Sequence, residues 1–175
     1  MFGIGNSSNA FLILQTKDIG ASLVATVLIY AGFNLVSALI SYPAGFFSDR
    51  WGRKNVLLSA FVIFFIVYLG FAVTQNVVLI AITFVLYGLY QGIFRTVGKA
   101  FASDFLPNCF RASGVGWYSA TVGLLELTAS IVAGLLWDQV GHGAVFLYGA
   151  ASAVLGSIGL LVLISPTKRR SHAAR

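Results

Sequence analysis

The stretch that decides the fold is Gly45 to Lys54, GFFSDRWGRK. It packs one acid and three bases, Asp49, Arg50, Arg53 and Lys54, into positions 49–54 and carries glycines at 45 and 52. Long stretches with almost no charge flank it on both sides. Ionised groups are costly to take out of water. A compact charged knot between two apolar runs therefore reads as a wet turn joining two segments that avoid water.

The composition agrees. The chain has 175 residues, of which 58% are hydrophobic and 9% charged, and its mean hydropathy is +0.90. A soluble domain carries roughly 25% charged residues, and a soluble fold this apolar could not cover its own surface. A membrane-crossing helix needs about 20 apolar residues, since each rises 1.5 Å and the hydrocarbon is about 30 Å thick. Five such runs occur, near 21–44, 55–73, 77–97, 112–136 and 143–164. Inside lipid every backbone polar group must be satisfied within the segment, which makes these runs helices. Strand-like alternation is absent, which argues against a β-barrel. The fold class is an all-α integral membrane protein, a helical bundle of five spans over residues 17–165. Residues 1–16 are too short to span and lack a basic leader region, so they do not read as a signal peptide. They read either as the end of a helix whose beginning lies upstream or as a short amphipathic start at the interface. Residues 166–175 form a basic tail.

The basic residues orient the bundle. Ten of the eleven Lys and Arg residues, at 50, 53, 54, 95, 99, 111, 168, 169, 170 and 175, fall on one side if the spans zigzag, and only Lys17 falls on the other. Positive charge accumulates on the cytoplasmic side. The knot, the 98–111 loop and the C-terminal tail are thus expected in the cytoplasm, with 74–76 and 137–143 outside. The tail's charge suits anionic lipid heads rather than nucleic acid.

The spans differ in their faces. The 55–73 run is aromatic and aliphatic all round and can face lipid without cost. The 143–164 run carries Gly149, Ser152, Gly156 and Gly159, which let helices approach closely. In the 112–136 run Ser119, Gly123, Glu126, Ser130 and Gly134 fall within about 80° of one another at 100° per residue, with Leu124, Ile131 and Leu135 opposite. Glu126 is near mid-span, where an ionisable group costs several kcal/mol and marks either a proton- or cation-binding carboxylate or a structural carboxyl held by another helix. Tyr30, Asn34, Ser37 and Ser41 share a face of the first span. Thr83, Tyr87, Gln91 and Arg95 step along the third, where Gly88 and Gly92 form a small-xxx-small pair. These stripes either line a common cavity or only tie the helices together. Arg95, near the cytoplasmic end, is accounted for by snorkelling to the interface.

Enzymatic chemistry has no visible footing. There is no phosphate loop and no HExxH pattern. His142 and His172 lie outside the spans without metal partners, and no Ser/His/Asp grouping is plausible. Cys109 stands alone, so no internal disulfide is possible. No cofactor and no metal are expected.

With that frame in place, GFFSDRWGRK resembles the G-x-x-x-D-R-x-G-R-[RK] signature of the major facilitator superfamily of secondary transporters. Gly45, Asp49, Arg50, Gly52, Arg53 and Lys54 all match. Downstream, RASGVGWYSATVGLLELTASIVAGLLWDQVG (111–141) resembles the eleventh helix of bacterial members, and the next run the twelfth. GNSSNAFLIL (5–14) resembles the end of the seventh. The resemblance implies the C-terminal half of a twelve-helix fold, from part of helix seven through helix twelve. It implies alternating access to a site near the membrane midplane, a gating role for the signature, and a small-molecule solute as cargo, moved by a proton or other ion gradient, with drug efflux and metabolite transport fitting equally. It further implies a bacterial inner membrane, and as partners the lipid bilayer and either a missing N-terminal half or a second subunit. On this reading Glu126 is the first candidate for proton coupling, and Asn34, Tyr30, Tyr87 and Gln91 line the path. The reading of a different class is a non-transporting membrane protein that binds or scaffolds a partner.

Overall fold

The computed structural model describes residues 9–18, 20–74 and 76–163. They form six α-helices: α1 (Asn9–Asp18), α2 (Leu23–Trp51), α3 (Arg53–Val73), α4 (Val77–Ser103), α5 (Arg111–Gln139) and α6 (His142–Leu163), with one 3₁₀ turn at Asn108–Phe110. Five of them, α2 to α6, are long and apolar enough to cross a membrane. The basic tail at 166–175 lies outside the described residues.

Local chemistry sets the boundaries. The Ser22 hydroxyl accepts the Ala25 amide at 3.2 Å and starts α2. The Asn76 side chain accepts the Val78 amide at 2.9 Å and starts α4. Both satisfy donors that a helix N-terminus leaves open. α2 runs through Pro43 to Trp51. Its 29 residues make about 44 Å at 1.5 Å per residue. That exceeds the hydrocarbon thickness of about 30 Å, so its charged end clears the apolar layer.

α4 sits at the centre, packed on α2, α3 and α5, and α6 packs on α3. The α2–α4 seam depends on the two glycines of α4. A Cβ on Gly88 would meet the Phe33 carbonyl at 2.8 Å, and one on Gly92 would meet Ser37 O at 2.6 Å and overlap the Ile40 side chain. The small-xxx-small spacing thus lets the two backbones touch.

α3 departs from the expectation of a lipid-facing helix. Leu57, Ala60, Phe61, Phe64, Val67, Tyr68 and Phe71 are buried, while Val62, Ile66 and Val73 are exposed. The buried set recurs at three- and four-residue spacing, so one face builds the core and the other meets lipid. Hydropathy does not separate the two faces; aromatic packing does, with Phe61, Phe64, Tyr68 and Phe71 all on the buried one. Phe71 packs edge-on to Phe84 with ring centres 5.3 Å apart and stacks on Phe146 at 5.5 Å. Phe64 stacks on Tyr68 at 3.9 Å. α1 is lodged against this bundle: Leu12, Gln15 and Thr16 are buried, and Phe11 packs on Trp137 at 5.8 Å.

Candidate functional site

Two polar constellations stand out, one at an end of the bundle and one inside it. The first is the charged knot. Gly52 is the single residue between α2 and α3, and its φ of 87° with ψ of 134° is backbone that only glycine adopts without strain. The turn places Arg53 between two carboxylates. Its guanidinium lies 3.5 Å from Asp49 and 2.7 Å from Asp104 at the end of α4. It also donates to the Ala100 carbonyl. Lys54 donates to the Leu161 carbonyl of α6 at 3.3 Å, and Arg50 lies over the Phe46 ring at 4.4 Å. The ends of α2, α4 and α6 are therefore gathered by the knot at one end of the bundle, as a zigzag requires.

The motif's two glycines behave differently. Gly52 is fixed by its dihedrals. A Cβ on Gly45 would meet only Thr96 Cγ2, at 3.9 Å, an ordinary contact. Nothing among the described residues makes glycine necessary there.

Asp104 was not singled out by sequence reasoning. It lies 51 positions from Arg53, so no local spacing links them. One signal was available: it is the only charged residue between Lys99 and Arg111.

The second constellation lies between α4 and α5. Phe94, Arg95, Lys99, Tyr118, Ser119, Val122, Gly123 and Glu126 line a cleft of about 200 Å³. Glu126 stands near the middle of α5 and is partly buried. The small residues of its face leave room beside it: Ser119 and Gly123 are exposed, and the Ser130 hydroxyl donates to the Glu126 carbonyl at 2.7 Å. Gly98 admits the Tyr118 ring, whose hydroxyl would overlap any Cβ at that position. Glu126 lies within electrostatic reach of the Tyr87, Tyr90 and Tyr118 hydroxyls.

Arg95 is exposed and has a partner on its own helix. With the Gln91 amide oriented so that its oxygen faces the guanidinium, Gln91 accepts two hydrogen bonds of 2.9 Å, from Arg95 Nε and Nη2. Gln91 is 4% exposed, so a buried amide holds the arginine in place. The one-turn step from 91 to 95 puts both side chains on one face.

The other sequence-selected residues lie elsewhere. Tyr87 is buried, stacked on Phe33 at 5.2 Å, and donates its hydroxyl to Asn9 of α1 at 2.8 Å. Tyr30 packs against Phe33 at 5.5 Å. Asn34 is exposed and donates to the Tyr30 carbonyl at 2.8 Å. Of these residues only Glu126 lines the cleft; Gln91 is buried behind it and touches it through Arg95, and Tyr87, Tyr30 and Asn34 are not part of its lining. Among the described residues no group of three His, Cys, Asp or Glu side chains could hold a metal ion, and Cys109 is free and exposed.

Comparison with known proteins places this architecture. The Major Facilitator Superfamily family model matches residues 1–175. The chain is 32% identical over 169 residues to the uncharacterized MFS-type transporter MJ1317 of Methanocaldococcus jannaschii, covering 93% of this chain and 42% of that relative. It is 25% identical over 158 residues to the quinolone resistance protein NorA of Staphylococcus aureus, covering 90% of this chain and 40% of that protein. Similarity to the uncharacterized MFS-type transporter YqjV of Bacillus subtilis is 34% over 92 residues, covering 53% of this chain and 22% of that one. The chain spans less than half the length of these relatives.

Proposed function

The chain belongs to the major facilitator superfamily, its all-α bundle being half of that twelve-helix fold, and from this we propose that it serves secondary active transport of a small solute by alternating access. We place it as the C-terminal half, from the end of helix seven (α1) through helix twelve (α6). In this assignment the knot is the gate on the cytoplasmic side of a bacterial inner membrane, and the C-terminal tail is cytoplasmic. The basic bias of that end supports the orientation. Transport in the direction of efflux agrees with the similarity to a protein named for quinolone resistance.

The observation that carries the proposal is the α4–α5 cleft, with a mid-span carboxylate beside a fixed guanidinium. A partly buried Glu126 at membrane depth is expensive unless it is used. It binds and releases a proton as its cleft is exposed to one side and then the other, and so couples the cycle to the gradient. Gln91 and Tyr87 shape the path around it, with Tyr30 and Asn34 extending it along α2. The solute, protons, the lipid bilayer and the other six-helix half, or a second subunit, are the partners. The test is transport by Glu126→Gln protein. Coupling by Glu126 predicts loss of gradient-driven accumulation with solute exchange retained. Unchanged accumulation with unchanged pH dependence would sink the coupling role.

A further inference from the structure

The cleft that holds Glu126 has a surplus of positive charge. Arg95 and Lys99 stand one helical turn apart on α4, and both line it, against the single carboxylate of Glu126. No hydrogen bond or ion pair holds Lys99 among the described residues. Arg95 is different, because the buried Gln91 amide engages its Nε and Nη2 atoms. A guanidinium carries five N–H donors in a rigid plane. With one edge tied to Gln91, another edge stays available, pre-oriented for a planar or tetrahedral oxyanion. The volume of about 200 Å³ is less than the roughly 300–1,000 Å³ typical of sites that enclose a whole drug-sized ligand. It suits one ionic group of a larger molecule.

We infer, resting on the reading that this cleft lies on the solute path, that the solute carries an anionic oxygen group, a carboxylate or phosphate, which docks between Arg95 and Lys99. Gln91 is a positioning residue for this contact. Glu126 opposes the anion when ionised, and sets the limit on how much negative charge the cleft accepts.

The experiment reads the modification of each arginine by phenylglyoxal, resolved by mass spectrometry, in membranes containing the protein. Benzoate and benzylammonium serve as probes with the same ring and opposite charge. Saturating benzoate is expected to slow modification of Arg95 at least about tenfold by occupying the site, with exposed Arg111 unaffected and benzylammonium without effect. Gln91→Ala should weaken the protection, Lys99→Gln should weaken it without touching Arg95, and Glu126→Gln should strengthen it. Equal protection by both probes, protection by benzylammonium alone, or none by either overturns the anion site. Transport is measured in parallel. A Glu126-dependent transport of solute with no benzoate protection leaves the transporter reading standing and removes this one. Benzoate protection without any transport does the reverse.

Discussion

Arg53 shows how much one residue of a motif can do. It is the third charge of the knot, and the structure gives it two carboxylates and a backbone carbonyl to hold. Asp49 and Asp104 are 69% and 47% exposed at the side chain, so screening keeps the pairs worth about 0–1 kcal/mol to stability. Arg53→Gln should leave thermal unfolding in detergent nearly unchanged while altering transport. A large drop in melting temperature would instead make the knot a structural clamp. Gly52→Ala is expected to behave differently. Its positive φ imposes strain of about 1–3 kcal/mol on any other residue, so this variant should lower thermal stability measurably. The motif residues were legible because their spacing is local. Asp104 was not, because the fold alone brings α4's end to the α2–α3 turn. The contact of Arg95 with Gln91 was not legible for a related reason: that partner is recognised only once its amide is seen to be buried.

At the scale of elements, five apolar runs became five long helices because length and hydropathy settle spans almost alone. Which face each span buries was only partly legible. The α5 wheel worked, since Leu124, Ile131 and Leu135 are exposed opposite the cleft, and small and polar residues marked its inner face. For α3 no face could be assigned, since its two faces are equally apolar and only aromatic packing distinguishes them. The glycines of α4 give a sharp expectation. Gly92→Leu must push α2 away from α4, and overpacking of this kind costs about 1–3 kcal/mol; detergent-solubilised protein should unfold at lower temperature, whereas Gly45→Ala should not move the transition. If Gly45→Ala nonetheless impairs transport, the close approach it serves is to something outside this bundle.

For the whole molecule, α2 is the most telling surface. Leu23, Val24, Val27, Leu28, Leu35, Leu39 and Tyr42 are all exposed along it. In the proposed assignment the other half of the fold packs there, and Asp49 faces a helix N-terminus across that seam. Asp49→Asn should then shift crosslinking between the halves toward the inward-open arrangement, with little change in solute affinity; crosslinking yields unaltered by the substitution would contradict a gate at this site. Half-fold membership could be read from the motif and the helix count, but the cargo could not, because in the proposed assignment its site is shared with a half outside this chain.

The most direct test of the account is the sidedness of the α4–α5 cleft. A cysteine at Ser119, which is exposed in the cleft, can be introduced after Cys109→Ser removes the free thiol. Its reaction with a membrane-impermeant maleimide is then followed from each side of sealed vesicles. Alternating access predicts labelling from both sides, with the balance between them moved by the proton gradient. Labelling from one side only, at a rate the gradient does not change, would contradict it.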